Sequence, residues 1–206
     1  TPISNLKIYG EILSETNHEN QEEIATILEQ TEKLDFLIQS LVKLSRMESG
    51  IIAVHSEDTT IKQMLESIQQ QFNVKVREKN ITLSLCDTDL HVRCDSKWTV
   101  EALGNIIDNA IKYTACGGNV QIKVEQYSFF VKIDIIDDGI GIEKEEIPKI
   151  FGRFYRSLSV ADQPGVGIGL FLAREIIQAQ KGYIKVTSKR GKGSTFSVFL
   201  PIAKKE

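Results

Sequence analysis

Residues 105–114 read Asn-Ile-Ile-Asp-Asn-Ala-Ile-Lys-Tyr-Thr, and residues 137–142 read Asp-Asp-Gly-Ile-Gly-Ile. In the first stretch Ile106, Ile107, Ala110 and Ile111 take one side of a helix, and Asn105, Asn109 and Lys112 take the other. The second follows the strand-like run Val131-Lys-Ile-Asp-Ile-Ile136, which leaves Asp137 at a strand end and Gly139 and Gly141 in the turn beyond it. An apolar helix face followed closely by strands predicts helices packed on a sheet.

The flanking segments extend this pattern. Ile61, Leu65, Ile68 and Phe72 suit an amphipathic helix, and Ile81, Leu83 and Leu85 alternate as in a half-buried strand. Asp95-Ser96 can cap a helix from Lys97 to Tyr113, which Cys116-Gly117-Gly118 breaks. Val120, Ile122 and Val124 alternate, as do Val131, Ile133 and Ile135. Leu170–Gln180 reads as a helix that stops near Gly182. Ile184–Ser188 and Thr195–Leu200 read as strands joined by a turn at Gly191–Gly193, with Pro201 closing the last. Residues 51–206 are therefore expected to form an α/β sandwich with helices on one face of a mixed sheet.

Residues 1–50 read differently. Pro2 suits a first helical turn, and Ile3 through Leu13 suit one helix face. Ser14–Asn20 is polar and ends in a capping residue, so a turn is expected there, and Gly50 should end the second helix. Ile24, Ile27, Thr31, Leu34, Ile38, Leu41 and Ser45 recur at alternating spacings of three and four, a heptad seam that Leu37 and Leu44 widen. A hairpin of one short and one long helix cannot bury that much apolar surface alone. The expected solution is a homodimer through this hairpin, forming a four-helix bundle. The fold class expected for the whole chain is α+β.

The chain has 206 residues and a formal net charge of -3, which gives no pointer to nucleic acid. Cys86, Cys94 and Cys116 have no metal-ligand spacing, and three thiols suit a reducing compartment. No run approaches the roughly 20 apolar residues that span a bilayer. The sequence opens on Thr1-Pro2 without a methionine, so it is expected to be part of a longer protein.

Four features carry chemistry. The amide oxygens of Asn105 and Asn109 lie one turn apart, a donor type that suits Mg²⁺ supplemented by phosphate oxygens and water; Lys112 can neutralise phosphate. A solvated polar face would look the same. Asp137 can accept a hydrogen bond from an exocyclic amine where Gly139 and Gly141 let a ligand approach the backbone, although Asp-Asp-Gly is also a common turn. Gly165-Val-Gly-Ile-Gly-Leu170 opens a helix and offers free N–H groups to phosphate. It is neither the Gly-x-Gly-x-x-Gly fingerprint nor a Walker loop. In Ile150-Phe-Gly-Arg-Phe-Tyr-Arg156, Phe151 and Phe154 are expected in the core and Arg156 is the phosphate candidate. Residues 157–164 are polar and suit a lid.

Taken together these residues resemble the catalytic domain of sensor histidine kinases, whose fold is shared with HSP90, DNA gyrase B and MutL. Asn105–Thr114 resembles the N box, Asp137–Ile142 the G1 box, Ile150–Arg156 the F box, Gly165–Leu170 the G2 box and Gly191–Phe196 the G3 box. The resemblance implies ATP and Mg²⁺ as cofactors, with Asn105 and Asn109 serving metal and phosphate and Lys112 meeting phosphate. It implies that Tyr113 flanks the adenine and that Asp137 accepts from its N6 amine. Gly139, Gly141, Ile142, Phe154, Gly165, Gly167, Gly169, Leu170 and Thr195 complete the implied nucleotide contacts, and Asn105, Lys112 and Arg156 the catalytic ones. Residues 1–50 resemble the dimerisation and phosphotransfer hairpin, and Leu41-Val-Lys-Leu-Ser-Arg-Met-Glu48 the end of its second helix.

The implied activity is transfer of the ATP γ-phosphoryl group to a histidine and then to an aspartate of a response-regulator receiver domain. The family's acceptor motif is His, an acid, two residues and Thr-Pro, so Thr1-Pro2 would place the histidine upstream. Thr1 takes a position associated with dephosphorylating the regulator. His18, His55 and His91 lack the motif and read as surface or structural. Asp138, Gly152 and Gln180-Lys181-Gly182 depart from the usual Asn, acid and His-Gly-Gly. A non-catalytic ATP-sensing or dimerisation module, or an ATPase related to HSP90 or MutL, are the competing readings.

Overall fold

The computed structural model describes residues 2–16, 20–48, 54–160, 163 and 165–203. The chain divides into two compact units, one built on its first two helices and the other on the remaining elements. In the first unit α1 spans Pro2–Thr16 and α2 spans Gln21–Glu48. Pro2 is the first residue of α1, where its missing N–H would have no helical acceptor. The helix runs through Thr16, further than the polar composition of Ser14–Asn20 suggests. The Asn20 carbonyl accepts from the Ile24 amide at 3.0 Å. Gly50 lies outside the described residues.

The two helices meet at a small residue. Gly10 is buried, and a Cβ there would sit 2.6 Å from Leu28 Cδ2. Ile24, Thr31 and Ser40 are buried along α2, and Thr31 Oγ1 donates to the Ile27 carbonyl at 2.8 Å. The other half of the heptad seam is not covered: Ile27, Leu34, Ile38 and Leu41 remain between 42% and 55% exposed. Leu6, Ile8, Tyr9, Ile12 and Leu13 of α1 are exposed too. α1 packs beside Leu28 and Glu32 of α2 and leaves Ile27 and Leu34, in the same stretch, uncovered, so the seam is wider than one helix can shield.

The second unit is an α+β layer structure. Its elements are β1 Glu57–Thr60, α3 Ile61–Glu78, β2 Thr82–Ser84, β3 His91–Cys94, α4 Ser96–Tyr113, β4 Asn119–Gln126, β5 Phe130–Asp137, α5 Gly169–Ala179, β6 Tyr183–Ser188 and β7 Ser194–Pro201. The main sheet has the order β2-β4-β5-β7-β6. Only β2 and β4 pair in parallel; every other neighbour is antiparallel. β1 and β3 form a separate antiparallel ribbon that the sequence pattern did not predict, being four residues each, too short for periodicity to register.

One face of the sheet is the core. Val120, Ile122, Val131, Ile133, Ile135, Phe196, Val198 and Leu200 are buried there. Against them lie the apolar sides of the helices, with Ile61, Leu65, Ile68 and Phe72 from α3, and Ile106, Ile107, Ala110 and Ile111 from α4. From α5 come Leu172, Ala173, Ile176 and Ile177. The other face carries the stacked Tyr183–Phe199 pair, with ring centroids 4.4 Å apart, and the Lys132 ammonium between Glu125 (2.8 Å) and Asp134 (2.9 Å).

Two polar joints set the helices. Asp95 caps α4 as expected, Oδ1 accepting from the Trp98 amide at 3.1 Å. Gln180, buried at the end of α5, accepts at Oε1 from the Asp95 amide (2.6 Å) and the Thr99 hydroxyl (3.2 Å). Its Nε2 donates to the Ile176 carbonyl at 3.2 Å, so one side chain ties the start of α4 to the end of α5. The next residue, Lys181, has φ 62°, a conformation where a side chain is strained. Lys181→Gly is expected to stabilise this unit by about 0.5–1 kcal/mol. Chemical denaturation would check this; an unchanged or lower midpoint would contradict it.

Candidate nucleotide site

Helix α4 supplies one wall. Asn105 and Asn109 are half-buried, away from the core side. Asn105 Nδ2 donates to the Glu101 carbonyl at 3.0 Å, which turns its oxygen outward from its own backbone. That oxygen lies where α5 begins: a Cβ on Gly169 would sit 3.1 Å from Asn105 Oδ1. The glycine therefore lets the start of α5 reach the amide face of α4, bringing Gly169 against Asn105. One turn further, Lys112 Nζ donates to the Tyr113 hydroxyl at 3.0 Å and lies 4.7 Å from that ring's centroid. An ammonium over an aromatic face is held by the ring quadrupole as well as by the hydrogen bond.

The floor is the end of β5. Asp137 is buried, and its Oδ1 accepts from the amides of Gly139 (3.0 Å) and Ser194 (3.2 Å). Burial raises the carboxyl above its ordinary value, the two amides pull it back, and the neighbouring Asp138 charge adds to the rise. Asp138 behaves oppositely. Exposed, it accepts from the backbone amide and side-chain Nδ2 of Asn119, both at 2.8 Å, and is lowered. The two bonds end on different carboxylate oxygens, so Asp138 accepts both, where the single amide oxygen of the usual Asn would keep only one in place.

The turn after Asp137 is clamped from two sides. The Ile140 amide donates to the Tyr113 carbonyl at 3.2 Å, and a Cβ on Gly139 would sit 2.6 Å from that oxygen. Gly141 has φ 66°, and a Cβ there would run into the Lys189 carbonyl. The Gly191 amide donates to the Ile140 carbonyl at 2.8 Å, and the Ile142 amide to Ser188 Oγ at 2.8 Å. Gly193, with φ 80°, abuts the Asp137 carbonyl so closely that a Cβ could not fit. Arg190 adds a side-chain link that the sequence reading missed, donating to Ser159 Oγ at 3.3 Å.

Two expected residues are placed elsewhere. Thr195, expected among the nucleotide contacts, is not the β7 residue that meets Asp137; the amide of its neighbour Ser194 is. In β7 Ser194, Phe196 and Val198 face the buried side, so alternation turns Thr195 to the opposite face of the sheet. Counting that period from Phe196 would have identified Ser194. Phe154 is not a core residue either. It is 53% exposed with φ 61°, because residues 144–154 form successive turns rather than a helix with an inward face. Phe151 is half-buried, with the Arg174 guanidinium 5.6 Å from its ring. Arg156 is half-buried and donates through Nη2 to the Val160 carbonyl at 2.9 Å.

The backbone at Phe154 still belongs to the site's margin. Gly167, with φ 76°, packs so that a Cβ would sit 2.6 Å from the Tyr155 carbonyl and 2.9 Å from the Phe154 carbonyl carbon. Gly165 has φ 142°, and Leu170 is half-buried in the first turn of α5. Thr1 and His18 lie outside the described residues. His55 is exposed, and His91 is exposed with Nδ1 2.6 Å from Asp58 Oδ1. The arrangement thus combines a buried acceptor, a strip of amide oxygens and an ammonium on α4, and the amides of a helix start, which have no intrahelical acceptor.

Residues 94–204 match the sequence family described as histidine kinase-, DNA gyrase B-, and HSP90-like ATPase. The chain is 33% identical to the sensor histidine kinase WalK of Bacillus subtilis (strain 168), over 98% of its own length and 34% of that protein. It therefore spans about a third of that relative. Two solved structures share the fold at 20% identity. Full-length ShkA in complex with AMPPNP superposes with TM-score 0.82 over 99% of this chain and 44% of that one. The histidine kinase ThkA in complex with the response regulator TrrA gives 0.74 over 98% and 58%.

The raised Asp137 carboxyl has a measurable consequence. With the folded-state pKa above the unfolded one, ionisation opposes folding. The favourable contribution is complete below the unfolded value, 3.8, and is lost as pH rises through the raised folded value. Asp137→Asn keeps an oxygen for the Gly139 and Ser194 amides and removes the charge. Without nucleotide the variant is expected to melt above the parent at pH 7 and with it at about pH 3. Identical midpoints at both pH values would contradict the assignment.

Proposed function

Because the chain belongs to the family of histidine kinase-, DNA gyrase B- and HSP90-like ATPases, we propose that it is the kinase core of a two-component sensor. Its second unit binds Mg²⁺–ATP and transfers the γ-phosphoryl group to a histidine, from which a response-regulator aspartate takes it. The observation that carries the nucleotide reading is Asp137. Both backbone donors go to Oδ1, and the buried carboxylate keeps Oδ2 for the amine of an adenine. Gly139 and Gly141 keep the approach clear, and Tyr113 at the end of α4 flanks the base. Ile142 lines the far side of the turn.

The same reading assigns the phosphate end. Asn105 and Asn109 present neutral amide oxygens one helical turn apart, a donor set that fits Mg²⁺ when phosphate oxygens and water supply the remaining positions. Bound there, the ion screens the charge of the phosphate chain. Lys112 exchanges its Tyr113 hydroxyl for phosphate, and the amides of Gly167, Gly169 and Leu170 receive phosphate oxygens at the helix start. Arg156 and Gly165 are assigned to the phosphate end, with the Phe154 ring at the rim. In transfer, the bond from the γ-phosphorus to the bridging oxygen breaks and a bond to an imidazole nitrogen forms, releasing ADP. Positioning and charge neutralisation supply most of the catalysis.

The first unit is proposed to dimerise. The uncovered half of the α2 seam and the exposed apolar residues of α1 support a four-helix bundle made by two copies. The acceptor histidine is the one that the family's motif sets before Thr1-Pro2, with Thr1 acting in regulator dephosphorylation. In the intact protein this core is the cytoplasmic part of a membrane-anchored sensor. Among the described residues no helix is long and apolar enough to cross a membrane.

Calorimetry with Mg²⁺–ATP tests the pocket. Asp137→Asn places an amide where the adenine amine needs an acceptor, and the Kd is expected to rise about 10- to 100-fold. Unchanged affinity would sink the adenine assignment. Incubating the longer protein with γ-labelled ATP is expected to give an acid-labile, alkali-stable label on histidine; its absence would favour a non-catalytic ATP-sensing module. Light scattering is expected to show a dimer that Ile38→Glu dissociates, and a parent monomer at high concentration would refute the bundle.

A further inference from the structure

The end of α4 is held by a residue outside all the motifs. Lys79 follows α3, and its ammonium donates to three carbonyls, those of Ile111, Lys112 and Thr114, each at 2.9 Å. An ammonium has three donors, so these bonds use all of them. The last carbonyls of a helix have no intrahelical partner, and a cation there also meets the negative end of the helix dipole. At this terminus every carbonyl from 110 to 114 has a donor. Ala110 receives the Thr114 amide at 3.0 Å, Lys79 takes Ile111, Lys112 and Thr114, and Tyr113 receives the Ile140 amide.

That last bond connects the terminus to the nucleotide floor. Ile140 and Gly139 rest on the Tyr113 carbonyl, and Gly139 donates to Asp137. Lys79 also acts through its backbone: its carbonyl accepts from the Gly117 amide at 3.0 Å, in the loop that leads to Asn119, the partner of Asp138. Both sides of the Asp137-Asp138 pair are thus referred to one lysine.

We infer that Lys79 is a positioning residue for adenine recognition, setting the Tyr113 carbonyl and through it the Asp137 turn. The inference rests on the nucleotide reading above. Lys79 does not reach the ligand. It fixes the carbonyls of α4 so that Tyr113 alone points its oxygen at the turn. Without the ammonium, three carbonyls lose their donor, the last turn of α4 frays, and Asp137 no longer meets the amine in register.

The test uses the full chain with Mg²⁺–ATP and Mg²⁺–GTP, well below the melting temperature. Guanine presents a carbonyl oxygen where adenine has its amine, so the ATP-over-GTP preference reads the position of Asp137. Lys79→Met is expected to raise the ATP Kd about tenfold and shrink that preference. Lys79→Arg should restore most of both, and hydrogen exchange at the Ile140 amide should quicken in the Met variant. A folded Lys79→Met protein with a lower melting temperature but parental affinity and preference would overturn the inference. If that variant does not fold, Lys79→Gln, which keeps two donors, is read by the same criteria. Failure of the parent to bind ATP would refute the nucleotide reading instead.

Discussion

The Asp137 carboxylate, holding the amides of Gly139 and Ser194 on one oxygen, is the interaction around which the second unit is organised. It joins the end of the central β5 strand, the turn that follows it and the start of β7. A buried carboxylate is unfavourable unless its lone pairs are met, and two neutral amides meet them only in part. The residual penalty appears as a raised carboxyl. A ligand amine on the second oxygen would relieve it, so the same unfavourable term that weakens the empty fold favours occupancy.

Close backbone approach is what makes this geometry accessible. The Gly141 turn sits on the Lys189 carbonyl and the Gly193 turn on the Asp137 carbonyl, contacts that no side chain would allow. The Tyr113 carbonyl receives Ile140 on the other side, with Lys79 holding its neighbours. The floor of the candidate site is thereby fixed by backbone atoms from α4, β5 and the β6–β7 turn. Gln180 sets the far ends of α4 and α5 through a second buried polar joint. The helical unit obeys a different constraint: its seam is wider than one partner helix, and half remains open.

Much of the site was legible. Asn105, Asn109 and Lys112 could be placed on one face because the apolar residues between them fix the helical phase, and Ile106, Ile107, Ala110 and Ile111 are buried accordingly. Asp137 could be placed at a strand end because β5 alternates up to it. Phe154 could not be placed, since an aromatic in a run of turns has no period to give it a side. Thr195 was assigned from motif membership, where the strand phase pointed to Ser194. β1 and β3 were too short to register, and Lys79 belongs to no motif.

The amino-acid sequence by itself therefore determined the periodic elements, the polar face of α4, the acid at the end of β5 and the glycine turns. Those depend on local spacing and on backbone freedom, both of which are properties of neighbouring residues. Only the tertiary structure decided that Ser194 meets Asp137, that Gly169 brings α5 against Asn105, and that Lys79 closes the end of α4 from 32 to 35 residues away. Such contacts arise where separate elements satisfy each other's unpaired amides and carbonyls. That pairing is set by packing, and no local pattern encodes it.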